Sequence, residues 1–121
     1  MQVTGAITAT GNITAYFSDD RLKTRLNNIS DPLVKIKSLN GFEFELNQTS
    51  RKLGIDDDGI QVGVSAQEVQ KVLPQIVKPA PINENYLTVQ YERLVPLLIE
   101  GIKELTERIE RLEEENKNLK G

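Results

Sequence analysis

Val95-Pro96-Leu97-Leu98-Ile99-Glu100-Gly101-Ile102-Lys103-Glu104-Leu105-Thr106-Glu107-Arg108-Ile109-Glu110-Arg111-Leu112-Glu113-Glu114-Glu115-Asn116-Lys117-Asn118-Leu119 repeats every seven residues. With Ile102 at position a, the a series is Val95, Ile102, Ile109 and Asn116, and the d series is Leu98, Leu105, Leu112 and Leu119. Seven of these eight are apolar, the pattern of a coiled-coil seam. The same stripe could belong to one amphipathic helix lying on its own domain. Against that, the seam lasts nearly four heptads, and Glu110, Glu113, Glu114, Lys117 and Asn118 leave the rest polar. Arg108 at g can reach Glu113 at e of a neighbouring helix, and Glu115 at g can reach Lys120 at e. One helix over residues 91–120 is therefore expected, with Pro96, which has no amide hydrogen, in its first turn or two. Ile at a, Leu at d and Asn116 at a favour two strands by the packing rule alone.

Upstream, residues 18–90 read as a small α+β domain. Asp31-Pro32 predicts an N-cap and first helical residue, with Leu33, Ile36 and Leu39 as the apolar stripe and Asn40-Gly41 as the stop. Phe42 to Leu46 alternates strictly and predicts a strand with Phe42, Phe44 and Leu46 facing inward. Ser65-Ala66-Gln67-Glu68 has the form of a capping box. It opens a helix that buries Val69, Val72 and Leu73 and stops at Pro74. Short strands are expected at 75–78 and 86–89, flanking a turn at Pro79-Ala80-Pro81.

Residues 1–17 contain Thr4-Gly5-Ala6-Ile7-Thr8-Ala9 and, at once, Thr10-Gly11-Asn12-Ile13-Thr14-Ala15. Apolar residues fall on odd positions and threonines on even ones, the alternation of a half-buried strand. So short a segment cannot bury its apolar row alone, so it should pair with copies from other chains.

Composition excludes more than it suggests. The 121 residues carry a net charge of -3, with no cysteine and no histidine. Thiol nucleophiles, disulfides, zinc sites and Ser-His or Cys-His catalysis are thereby removed. Without a dense basic run, no nucleic acid or membrane partner is expected. The N-terminus lacks the features of a secretory leader, and no apolar run approaches membrane-spanning length. Asp56-Asp57-Asp58-Gly59 lacks the ligand spacing of a calcium loop and reads as a surface turn. Glycines 54, 59 and 63 make no phosphate loop. No metal and no cofactor is expected.

The most chemical stretch is Ser18-Asp19-Asp20-Arg21-Leu22-Lys23. A serine nucleophile needs a base, and without histidine the candidates are Lys23 or a nearby carboxylate. A lysine serves only if it is desolvated or crowded by another cation, for which Arg21 is the candidate. Residues five apart do not share a face of a helix or strand. Ser18 and Lys23 therefore meet only if the chain bends between them or if they come from different copies. Taken by itself, a Ser-Asp-Asp run is more often a cap or turn than a nucleophile.

That run, with Gly41-Phe42-Glu43-Phe44, Gly63-Val64-Ser65-Ala66-Gln67-Glu68-Val69, Leu73-Pro74 and the block from Tyr91 to Leu105, resembles the C-terminal intramolecular chaperone domain of phage endosialidase tailspikes, tail fibres and neck appendages. The resemblance implies an α+β homotrimer. In it, the end of a triple-stranded β-stalk (1–17) leads into the globular chaperone (18–90) and then a coiled coil (91–121). It implies a domain that helps its upstream stalk fold in the host cytoplasm, within a protein destined for the virion tail, and then cuts itself off. Ser18 would be the nucleophile, Lys23 its base, Phe17–Ser18 the bond cut, and Asp19 and Arg21 supporting groups. A trimerisation cap that never cuts is the alternative, and a receptor-binding tip a weaker one.

Overall fold

The computed structural model describes residues 18–55 and 57–120, so the hexad repeat and Phe17 lie outside the described part. Its longest element is the last, α4 (Val95–Lys120), entered through a 3-10 turn at Tyr91–Leu94. Pro96 sits in the first turn of α4, where no amide hydrogen is needed. Ahead of it come α1 (Pro32–Lys37), β1 (Phe42–Phe44), α2 (Gln48–Lys52), β2 (Gln61–Gly63), α3 (Ala66–Val72), β3 (Val77–Ala80) and β4 (Asn83–Val89). The fold is α+β, with a long C-terminal helix and two small antiparallel sheets, β1-β2 and β3-β4.

The core is small and lies where α3, the β3-β4 hairpin and the first turns of α4 meet. Val69, Leu73, Ile76, Val77, Val89 and Leu97 form it, and Val69 and Leu97 are wholly enclosed. At about 2 kcal/mol for each enclosed aliphatic side chain, these few residues carry most of the apolar stabilisation of one chain. The α3 stripe is close to expectation, except that Val72 is only half-buried.

Helix α1 ends earlier than its apolar spacing predicts. Ser38 terminates it, donating its hydroxyl to the Lys35 carbonyl at 2.7 Å, and Leu39 is left in the following turn. Asp31 stands at the N-cap position but adopts a left-handed backbone (φ 48°) and makes no side-chain cap bond. The missing acceptor comes from α4, whose Glu104 Oε2 receives the Leu33 amide at 3.4 Å.

The strand expected over 42–46 stops at Phe44, because its partner β2 is three residues long, pairing Phe42 with Gly63 and Phe44 with Gln61. Phe44 and Leu46 are half-buried, whereas Phe42 is 40% exposed rather than inward. The Ser65–Glu68 capping box is also half formed. Ser65 Oγ accepts the Glu68 amide at 3.3 Å, but the Glu68 carboxylate takes the Asn40 side-chain amide at 3.2 and 3.3 Å instead of reaching back. A complete box instead opens α2, where Asn47 and Ser50 exchange side-chain to backbone bonds, both at 3.0 Å. In the second hairpin, Gln75 and Ile76 belong to a 3-10 turn and Pro79 and Ala80 to β3, so the chain reverses after Ala80. A proline is tolerated in β3 because a two-stranded ribbon leaves one edge unbonded.

Helix α4 divides its faces. Leu97, Gly101 and Glu104, at positions c, g and c, turn toward the domain and α1. The seam is a different stripe: Val95, Leu98, Ile102, Leu105, Ile109, Leu112 and Leu119 are all 47–86% exposed, and Asn116 is exposed too. The seam is thus not the surface by which the helix lies on its own domain. From Leu105 to Leu119 every residue is exposed.

Candidate functional site

Asp19 builds the turn at the start of the described chain. Its backbone is extended (φ -73°, ψ 127°) and it caps a 3-10 turn over Asp20–Leu22. Asp19 Oδ1 accepts the Arg21 amide at 2.9 Å and Arg21 Nε at 3.1 Å, while Oδ2 accepts Arg21 Nη2 at 2.8 Å. The backbone closes the turn, with the Leu22 and Lys23 amides donating to the Asp19 and Asp20 carbonyls at 3.0 and 3.1 Å.

The result is a reversal that neither helix nor strand spacing provides. Lys23 Nζ comes back to Ser18 Oγ at 3.2 Å within one chain, so the bend is enough to bring the two together. The Arg21 guanidinium beside Asp19 holds its carboxyl below the usual carboxylate range, and Asp19 in turn raises the Arg21 guanidinium. Arg21, the candidate cation for crowding Lys23, is thus itself paired with a carboxylate. Its charge is matched by Asp19, and its role is to fix the turn.

Past the turn the chain runs without regular structure to α1, as an arm whose residues from Ser18 to Asn28 are all exposed. Part of it lies over α4, making an open cleft with Lys23, Arg25 and Asn27 on one wall and Pro96, Ile99 and Lys103 on the other. Arg25 and Lys103 are cations that the sequence reading did not place near Lys23. Arg25 was discernible two residues along the same extended segment, but nothing in the sequence ties Lys103 to it. Each has an acidic neighbour, Asp20 at 3.7 Å from Arg25 and Glu100 at 3.3 Å from Lys103.

Phe17 and the bond joining it to Ser18 fall outside the described residues. Asp57 and Asp58 are exposed beside Gly59, whose φ of 101° fits a tight turn. Among the described residues no cluster of acidic side chains is arranged to hold a metal, and no helix is long and apolar enough to cross a membrane.

A family model described as the chaperone of endosialidase matches residues 18–78, beginning at the serine of the turn. The chain belongs to the endosialidase chaperone family. Among proteins with a curated description, the long tail fiber protein Gp37 of Enterobacteria phage K3 is 32% identical over 98 residues, covering 79% of this chain and 8% of that protein. Gp37 of Enterobacteria phage T2 matches at 32% over 98 residues, covering 79% of this chain and 7% of its own length. Gp37 of Escherichia phage AR1 matches at 32% over 92 residues, covering 72% and 8%. This endosialidase chaperone chain therefore spans under a tenth of the relatives it matches. Their similarity takes in more of it than the family model does, which stops within β3.

Proposed function

We propose that this chain is the intramolecular chaperone of a phage tail fibre, that it works as a parallel homotrimer, and that it frees itself from its upstream stalk by cutting Phe17–Ser18. The observation that carries the reading is the 3.2 Å approach of Lys23 Nζ to Ser18 Oγ across a turn built by Asp19 and Arg21, at the residue where the family match begins. Family membership and the phage fibre relatives support the chaperone role and a place on the virion tail; assembly in the host cytoplasm is part of the same proposal.

The chemistry needs no cofactor. Ser18 Oγ attacks the carbonyl carbon of Phe17 while Lys23, in its neutral form, takes the hydroxyl proton. The Phe17–Ser18 C–N bond breaks as that proton passes to the departing nitrogen, leaving an ester on Ser18 Oγ and a free α-amine on Ser18. Water then opens the ester, giving a carboxylate at Phe17 and restoring the hydroxyl. A neutral lysine is favoured where water is excluded or cations crowd it. In one chain the arm is open to solvent, so association is the event that would shield the pair.

The seam supports association. Seven exposed apolar residues on α4 gain about 2 kcal/mol each when covered, an upper bound before ordering is subtracted. The choice of three strands over two rests on the likeness to phage fibres rather than on seam chemistry. That same seam favours the second reading, a trimerisation cap that does not cut.

A precursor extended upstream of residue 1, compared with its Ser18→Ala form, tests the cutting. Two fragments from the parent and one intact chain from the variant are expected. Intact chains from both would remove the peptidase step and leave the cap.

A further inference from the structure

Among the described residues, five large aliphatic side chains outside the seam are about two-thirds exposed or more: Leu22, Leu26, Val34, Ile60 and Val62. Leu22 and Leu26 on the arm are 67% and 88% exposed, and Val34 on α1 is 69% exposed. Leu33 and Ile36 of the same helix turn the other way, onto Gly101 of α4. Val34 is therefore on the outer surface of α1, pointing away from its own domain.

The heptad register says where these surfaces go when copies associate, and this step rests on the parallel-coil reading above. α1 lies over Gly101 and Glu104, at positions g and c. The arm lies over Pro96, Ile99 and Lys103, at positions b, e and b. The two surfaces therefore sit on opposite flanks of the seam. In a parallel coil the e side of each helix adjoins the g side of its neighbour, whether there are two strands or three. The e-flank arm of one copy is thereby carried to the g-flank α1 of the next.

We propose that Leu22 and Leu26 of one copy pack on Val34 of the adjacent copy, so that a neighbour's α1 roofs the Ser18–Lys23 turn. The occupant is a second copy of this chain. The g-to-e pairs Arg108 with Glu113 and Glu115 with Lys120 are of opposite charge for such a neighbour, and Ile99 is at once a wall of the cleft beneath the arm and the flank of the seam. The contact explains why an arm carrying the reactive pair should have apolar side chains turned to water: each copy's turn is finished by the copy beside it.

The absence of cysteine makes the contact directly measurable. Full-length chains carrying Leu26→Cys and Val34→Cys singly are produced together in one cell, purified, oxidised mildly and run on a denaturing gel without reductant. The mixed sample is expected to give a reducible link between two chains, and either variant alone is not. A chain that sediments as an oligomer but forms no mixed link overturns the docking and leaves the coil standing. A chain that sediments as a single polypeptide removes both. Val34→Asp is the second measurement: it should leave the circular dichroism of the dilute chain unchanged and cause the oligomer to dissociate at concentrations where the parent stays associated. An unchanged dilution profile counts against the contact.

Discussion

Glu104 on α4 accepts the backbone amide of Leu33 on α1 at 3.4 Å, capping a helix whose own N-cap residue, Asp31, offers no side-chain bond. A residue 71 positions downstream thus does the work normally given to the residue just before a helix. The same carboxylate holds Arg108 at 3.1 Å through its other oxygen. The cap, the α1–α4 contact and an ion pair along α4 consequently share one side chain.

Replacing Glu104 with alanine should therefore cost about 1 kcal/mol in denaturant unfolding, the usual loss for a helix cap. Arg108→Ala removes only a solvated pair with Arg108 itself 52% exposed and should cost under about 0.5 kcal/mol. Equal losses for the two would mean that the carboxylate matters for its ion pair and not for α1.

Gly101 lets α1 approach α4 closely. A Cβ there would collide with Ile36 Cδ1 and touch Leu33 Cδ2. Gly101→Val should cost about 1–3 kcal/mol through overpacking. In an Ile36→Val background, which deletes the colliding methyl, Gly101→Ala should gain up to about 1 kcal/mol from helix propensity. A thermodynamic cycle over the parent, Gly101→Ala, Ile36→Val and the double variant measures this coupling, and additivity would show that α1 does not press on α4 at that point.

The Asp19–Arg21 clamp has a definite pH sense. Because Arg21 lowers the Asp19 carboxyl, the folded value lies below the unfolded one, so the turn is fully supported above the ordinary carboxylate range. Its support is lost as pH falls through the folded value. The Arg21 Nε–H resonance should stay in its bonded position down through mildly acidic pH and shift only below that range. Asp19→Asn should give the shifted signal at neutral pH and slow precursor cleavage while Ser18 and Lys23 remain.

From Leu105 to Leu119 every residue of α4 is exposed, and a lone helix of that length is marginal in water. Helical signal per residue should therefore rise with protein concentration. Ile102→Asp, at a position 63% exposed in one chain, should abolish the rise and hold the protein at the lowest sedimentation coefficient. It should leave the β3–β4 hairpin and its core intact by hydrogen exchange.

Much of this was legible where a local rule coincides with burial. The heptads located α4, Pro96 its first turn, and Val69 and Leu73 the inner face of α3. Two misses share a cause: the deciding partner is distant in sequence. Asp31 looks like a cap, but nothing nearby reveals that Glu104 takes the role. Glu68 completes the letters of a capping box, yet Asn40 takes its carboxylate. The short pieces α2 and β2 offered too few residues for a period to emerge, although Asn47 and Ser50 satisfy each other as a box does. For the Ser18–Lys23 pair, spacing posed the question and left it open. Asp19 answers it by folding the intervening residues into a turn.

The division of labour around the α4 axis sets a phase. One flank is packed on the body of its own molecule and an adjacent flank, the seam, stands open, so the angle between them is as much a part of the design as either surface. Each added residue swings everything downstream by about 100°. A one-residue insertion after Leu105 would leave both halves well formed but turn the lower seam out of line with the upper, whereas seven inserted residues would restore alignment and merely lengthen the mast.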